Sequence, residues 1–64
     1  MDLIEIGKLI RDRRKDLKID QTTLAALANV GINALVRLER GTGNPQFNVL
    51  HSVTKTLGLD IIVK

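Results

Sequence analysis

The sequence contains no cysteine, no tryptophan and no tyrosine, and it has one histidine and one phenylalanine. The lack of cysteine excludes disulfide bonds, cysteine-ligated zinc and thiol catalysis, and one histidine makes no metal cluster, so we expect neither a metal nor another cofactor. A single aromatic ring also excludes a stacking surface for single-stranded nucleic acid. His51 has no nucleophile or carboxylate predicted beside it. These absences predict a protein that is not an enzyme.

Long hydrophobic runs are absent as well. No stretch approaches the roughly 18 apolar residues of a membrane span, and the N-terminal region has no apolar signal core. Acidic residues at Asp2, Glu5 and Asp12 are not typical of a transit peptide, so the expected location is the cytoplasm. What is present is 64 residues, 44% of them hydrophobic, with a net charge of +3. This composition predicts one small globular domain whose mild positive charge is compatible with nucleic acid.

Hydrophobic residues spaced three and four apart predict an all-α domain. The expected helices span 2–17, 21–28, 32–40 and from 46 or 47 to 57, and a Gly- and Pro-containing loop separates the last two. Asp2 and Asp20 are predicted N-caps, whereas Asn29 and Gly58 suit the left-handed residue after a helix. The predicted apolar stripes are Leu3, Ile6, Leu9, Ile10 and Leu17 in the first helix and Phe47, Leu50, Val53 and Leu57 in the fourth.

The segment 59–64 differs from the helices because its residues are β-branched and partly alternating, which is typical of a strand. A lone strand leaves its backbone N–H and C=O groups unpaired, and the same segment of a second copy is the simplest partner. We therefore predict a homodimer formed by antiparallel pairing of these segments, with the dimer contacts at Leu59, Ile61, Ile62 and Val63. The alternative is a frayed tail.

The second and third helices, joined by a short turn, have the outline of a helix-turn-helix. The stretch DQTTLAALANVGINALVRLERG, residues 20–41, resembles the Cro/CI-type (XRE) repressor family at Gln21, Leu24-Ala25, Ala28-Asn29-Val30, Leu35 and Leu38-Glu39-Arg40-Gly41. The resemblance extends over nearly the whole chain and implies a four-helix lambda-repressor-like fold. It implies a DNA-binding domain over residues 1–58, with the motif at 21–40, followed by a dimerisation strand at 59–64.

The resemblance also assigns DNA-contacting residues. It places Gln21 against a phosphate at the start of the second helix, and it presents one side of the third helix to the major groove of double-stranded DNA. That side carries Gly31, Ile32, Asn33, Val36 and Arg37. Asn33 suits adenine and Arg37 suits guanine or a phosphate, while Ile32 or Ala34 fits a thymine methyl. The alternatives are an Arg37 that only faces solvent and an Ile32 that belongs to the core. Arg40, Thr42 and Asn44 are expected at phosphates.

Arg14 interrupts the apolar stripe of the first helix, and Glu39 lies at the inner end of the third. In the family these positions form a largely buried ion pair, so the resemblance implies the same pair here. The alternative is that both side chains face solvent, as the other basic residues near Arg14 are expected to do.

The four helices followed by a strand resemble the HipB-like antitoxins in particular. That resemblance implies a homodimer that represses its own operon at a palindromic operator and binds a kinase-like toxin. Two alternatives stay open. One is a stand-alone phage or chromosomal regulator, and the other is a protein-interaction module that has lost DNA binding, which the sparse polar content of the third helix favours.

Overall fold

Four helices make up the fold in a computed structural model that describes residues 2–60. They are α1 (Leu3–Asp16), α2 (Gln21–Ala28), α3 (Ile32–Arg40) and α4 (Phe47–Thr56). The prediction of a four-helix, all-α domain is confirmed. None of these helices, within residues 2–60, has both the length and the apolar character needed to cross a membrane.

The predicted C-terminal strand falls mostly outside this range. Leu59 and Asp60 are described and belong to no strand, whereas the predicted dimer contacts Ile61, Ile62 and Val63 lie outside the described residues. The four helices are therefore established, whereas strand pairing between two copies stays a prediction.

Side-chain caps define where α1 and α2 begin. The Asp2 carboxylate accepts a hydrogen bond from the Glu5 backbone N–H at 2.8 Å, and Asp20 accepts one from Thr23 at 2.7 Å. Each carboxylate satisfies an amide that has no partner inside its helix. At the other end of α2, Asn29 adopts the left-handed conformation with φ of 57°, as its side chain and position predicted.

The core lies at the centre of the four helices, each of which contributes to it. Six side chains are almost completely buried there: Ile10, Leu24, Leu35, Leu38, Val53 and Leu57. The small residues Ala25 and Ala28 are also buried and bring α2 close to its neighbours. Because α1 packs mainly on α3, and α2 packs on both α3 and α4, the helix-turn-helix is held from both sides.

At Gly7 the backbone of α1 lies close to the end of α3. A Cβ atom at this position would lie 2.4 Å from the Leu38 carbonyl oxygen and 2.7 Å from that of Glu39. Only glycine lets the two backbones come this near, which accounts for its presence in the middle of a helix despite its poor helix propensity.

Three residues of the predicted apolar stripes are not in the core. Phe47 is 62% exposed and stacks on His51, with ring centroids 5.8 Å apart. Phe47 begins α4, whereas the core lies further along that helix. Thr54 is buried there, and its hydroxyl donates to the carbonyls of Leu50 and His51. Leu9 and Leu17 are 49% and 43% exposed, since Leu17 lies just beyond α1 and Leu9 is at the edge of the stripe.

Candidate nucleic-acid interface

The turn between α2 and α3 is short and held by backbone hydrogen bonds. Residues 29–31 connect the helices, and the Val30 N–H donates to the Ala25 carbonyl at 3.0 Å. The Ser52 hydroxyl of α4 donates to the carbonyl of Ala28, the last residue of α2. Gly31 precedes α3 in an extended conformation and supplies no side-chain cap. These contacts fix the direction in which α3 leaves the turn.

The two sides of α3 differ sharply. Leu35, Leu38 and Glu39 are buried, whereas Asn33, Arg37 and Arg40 are exposed. With 3.6 residues per turn, the three exposed side chains fall on one stripe opposite the buried ones. Arg37 and Arg40 put two positive charges on this stripe, and Asn33 adds an amide that both donates and accepts hydrogen bonds.

The other predicted base-contacting residues flank this stripe. Gly31 is exposed, Ile32 is 42% exposed and Val36 is half-buried. The alternative placement of Ile32 in the core is therefore wrong, because Ile32 begins α3 beside the turn and remains 42% exposed. The stripe together with Gly31, Ile32 and Val36 is called the α3 face below.

A cleft of about 400 Å³ with both polar and apolar lining residues adjoins the α3 face. Arg37, Thr42, Asn44 and Gln46 contribute to its lining, so the loop after α3 continues the polar surface of the helix. The Thr42 hydroxyl lies 3.4 Å from the Arg37 carbonyl oxygen, and Thr42 and Asn44 are both exposed. Each keeps polar atoms free to face a ligand.

Gln21, at the start of α2, is half-buried and in contact with α3. Its Nε2 donates to Glu39 Oε1 at 3.2 Å. This bond uses one amide proton and fixes the side chain, and the second amide proton stays available. The contact to Glu39 was not predicted, since no sequence spacing signals a pairing between residues 18 positions apart.

Arg14 and Glu39 lie together in the interior. Arg14 Nε donates to Glu39 Oε2 at 2.8 Å and Nη2 donates to Oε1 at 3.1 Å, while Nη1 donates to the Ile19 carbonyl at 2.9 Å. The side chains are 11% and 3% exposed. The alternative in which both face solvent is excluded by this burial, and the carboxylate links α1, α3 and the start of α2.

A second arginine of α1 also has a defined partner. Arg13 Nε donates to the Leu57 carbonyl at 3.0 Å, at the end of α4. This interaction was missed because the charge pattern of α1 predicted a solvated face, and the acceptor is a backbone carbonyl 44 residues away. Only the folded chain brings the two together.

The start of α2 carries an anion of its own. The hydrogen bond from the Thr23 backbone N–H lowers the pKa of Asp20, so this carboxylate is charged at neutral pH. A phosphate near Gln21 would be repelled by that charge. The N-terminal end of α2 is thus already capped by a charged side chain of the protein itself.

Candidate metal ligands are not brought together in the part of the chain that the structure describes. No three His, Asp or Glu side chains lie close enough to hold an ion between residues 2 and 60. The amide, guanidinium and hydroxyl groups of the α3 face and its neighbouring loop can instead form hydrogen bonds and charge interactions with a ligand.

The sequence of this chain is similar to a known family and to several known proteins. The family model described as Helix-turn-helix matches residues 10–63, which is most of the chain. An uncharacterized HTH-type transcriptional regulator of Sinorhizobium fredii is 39% identical over 57 residues, covering 89% of this chain and 75% of its own length. A second uncharacterized HTH-type transcriptional regulator, from Haemophilus influenzae, is 33% identical over 94% of this chain and 59% of its own length.

A phage protein is similar as well. The immunity repressor protein of Bacillus phage phi105 is 34% identical over 56 residues, which cover 88% of this chain and 39% of the repressor. The chain thus spans three quarters of one relative and a smaller part of the other two.

Proposed function

The chain belongs to the helix-turn-helix family, and we propose that it is a transcriptional regulator that binds double-stranded DNA through the α3 face. One observation carries the proposal: Asn33, Arg37 and Arg40 lie exposed on one side of α3 while its other side is buried in the core. A helix held in this way can enter the major groove with its side chains toward the base edges.

The side chains of the α3 face match two kinds of base edge. Asn33 pairs with the N6 and N7 positions of adenine, and Arg37 pairs with O6 and N7 of guanine. Ile32 adds an apolar contact for a thymine methyl group. Since few polar groups read bases, the shape and deformability of the site contribute the remaining specificity.

Residues on either side of the base-contacting residues are placed to contact phosphates. Gln21 offers its second amide proton at the start of α2, and Arg40, Thr42 and Asn44 offer donors at the end of α3 and in the cleft. Contacts of this kind fix the orientation of a protein on the duplex without reading sequence.

A homodimer would raise affinity, because one chain brings a net charge of only +3. We propose that two copies pair antiparallel through residues 59–64 and place their α3 helices roughly 34 Å apart, in successive major grooves of a palindromic operator. Bound there, the dimer blocks polymerase and represses transcription. The similarity to a phage immunity repressor supports this direction of regulation.

The narrower proposal is that the regulator is the antitoxin of a toxin–antitoxin pair, with a kinase-like toxin as its protein partner. It is supported by four helices followed by a β-branched segment, an order that resembles the HipB-like antitoxins. An adjacent reading frame for a kinase-like protein is the expected finding. A regulator gene without such a neighbour supports the stand-alone phage or chromosomal regulator.

A binding titration tests the DNA proposal. The duplexes are the region upstream of the coding sequence and a random sequence of equal length, each measured at several salt concentrations. We expect affinity to fall as salt rises, because bound phosphates release counterions. Arg37→Ala should weaken binding to the upstream duplex at least about fivefold.

Arg11→Ala is the matched control, since it removes the same charge from an exposed site on α1. It should change affinity far less than Arg37→Ala. Equal losses would mean that net charge and not the α3 face controls binding. No salt-dependent binding to either duplex would contradict the proposal and favour the protein-interaction module.

A further inference from the structure

An apolar groove of about 660 Å³ lies between α1 and α4, and α2 and α3 contribute nothing to its lining. It exists because α1 packs mainly on α3 and α4 packs mainly on α2, which leaves these two helices apart. Its apolar lining consists of Ile6, Leu9, Ile10, Leu50 and Leu59, and Leu9 is 49% exposed. We call this feature the α1–α4 groove.

The charges around the groove are mostly acidic although the chain as a whole is basic. Asp12, Asp16 and Asp60 contribute to the lining, together with Arg13, whose Nε is bonded to the Leu57 carbonyl. A surface of this sign repels phosphate. An apolar segment that carries a positive charge would suit the groove better than DNA would.

We propose that the α1–α4 groove receives residues 61–64 of a second copy of the chain, an inference that rests on the proposed dimer. The sequence of this segment is Ile61, Ile62, Val63, Lys64: three β-branched apolar residues and one lysine. That composition complements an apolar floor with acidic side chains around it.

The geometry of strand pairing leads the segment to the partner's groove. A two-fold axis that passes between Ile61 and the partner's Ile61 places Val63 opposite the partner's Leu59 and Ile62 opposite the partner's Asp60. Leu59 and Asp60 both line the groove of their own chain. The far end of each segment therefore arrives at the groove of the other copy, with Lys64 among its carboxylates.

Pairing also explains why the occupant is a second copy. A segment that covered the groove of its own chain would leave the backbone N–H and C=O groups on both of its edges without strand partners. Exchange between two copies pairs one edge of each segment and covers both grooves at once.

Disulfide trapping tests the exchange directly, because the natural chain contains no cysteine. One preparation carries Leu9→Cys, and the other carries Val63→Cys and an isotope label that makes the two chains distinguishable by mass. After mixing and mild oxidation, we expect a disulfide that joins position 9 of one chain to position 63 of the other, differently labelled chain. Thr22→Cys, at an exposed site on α2, replaces Leu9→Cys in the control and should give little mixed product.

Two outcomes would overturn the proposal. One is a mixed product no more abundant with Leu9→Cys than with Thr22→Cys. The other outcome concerns a chain that carries both Leu9→Cys and Val63→Cys. If an intrachain disulfide is its main product at low protein concentration, the segment covers the groove of its own chain.

Sedimentation separates this proposal from the dimer itself. Leu9→Asp should raise the dimer dissociation constant at least about tenfold, whereas the control Leu27→Asp, on exposed α2 surface, should not. If deletion of 59–64 gives a monomer and Leu9→Asp stays as dimeric as the wild type, the dimer stands and the groove proposal falls. A wild-type chain that sediments as a monomer throughout contradicts both.

Discussion

Arg14 of α1 and Glu39 of α3 form a bidentate ion pair in the interior, with Nε to Oε2 at 2.8 Å and Nη2 to Oε1 at 3.1 Å. The same carboxylate accepts from Gln21, and the same guanidinium donates to the Ile19 carbonyl. The pair thus joins the first helix to both helices of the helix-turn-helix, and every charged group in it has hydrogen-bond partners.

Removal of one member of the pair should unfold much of the protein. Glu39→Ala leaves the Arg14 guanidinium buried without its carboxylate, at an expected cost of about 3–5 kcal/mol in unfolding free energy. That is a large fraction of the stability of a small domain. Urea unfolding followed by helical circular dichroism measures it, with exposed Arg11→Ala as the control.

The double replacement Arg14→Met with Glu39→Leu should cost less than Glu39→Ala alone, because no charge is left unpaired. A loss below about 1 kcal/mol for Glu39→Ala would be the behaviour of an exposed pair and would contradict the burial described above.

Gln21 links this ion pair to the proposed DNA contact. Gln21→Ala should lower affinity for the upstream duplex about tenfold, the value of one hydrogen bond to a charged group. Thr56→Ala, at the exposed end of α4, is the control and should leave affinity unchanged. The measurement is fluorescence anisotropy of the labelled duplex, and equal affinities for both variants would exclude a phosphate contact at Gln21.

Gly7 should not tolerate a methyl group. An alanine Cβ would lie 2.4 Å from the Leu38 carbonyl oxygen, and overpacking of this kind costs about 1–3 kcal/mol, more than the gain in helix propensity of about 1 kcal/mol. Gly31→Ala is the matched control, since nothing lies within 4 Å of its added Cβ. Thermal unfolding compares the two, and a stabilised Gly7→Ala variant would contradict the close packing of α1 on α3.

Asp20 should make stability depend on pH in the acid range. The Thr23 N–H lowers its pKa in the folded chain, so the folded state releases this proton more readily than the unfolded state. Its contribution is therefore present above the unfolded pKa and is lost as the pH falls through the lower, folded pKa.

Asp20→Asn keeps an N-cap acceptor and removes the charge. Urea unfolding between about pH 5 and about pH 2 should show a smaller loss of stability for this variant than for the wild type. Identical losses in the two proteins would show that the Asp20 carboxylate is not stabilised by its cap.

Local signals in the sequence were sufficient for the helices and their ends. Asp20 precedes α2 because its side chain caps the helix, and Gly58 follows α4 with φ of 73°. Both helix ends are determined by residues that are close to them in the sequence. The buried and exposed sides of α3 likewise follow from the helical spacing of its apolar residues. These features depend on residues at most a few positions apart.

Contacts between distant segments were not predictable in the same way. Phe47 has the apolar character of a core residue and is exposed, because burial at a helix end depends on which elements reach it. The bonds from Arg13 to the Leu57 carbonyl and from Gln21 to Glu39 connect residues 44 and 18 positions apart, and periodicity carries no information at that range. The dimer contacts at 61–63 lie outside the described residues and stay a prediction.

The central claim is that the α3 face binds DNA, and mapping of backbone amide resonances on an isotope-labelled chain tests it most directly. On titration with the upstream duplex, we expect the largest shifts at Asn33, Arg37 and Thr42, and little change at Leu9 and Asp12 in the α1–α4 groove. Shifts concentrated in the groove with α3 unchanged, or no shifts with either duplex, would contradict the account.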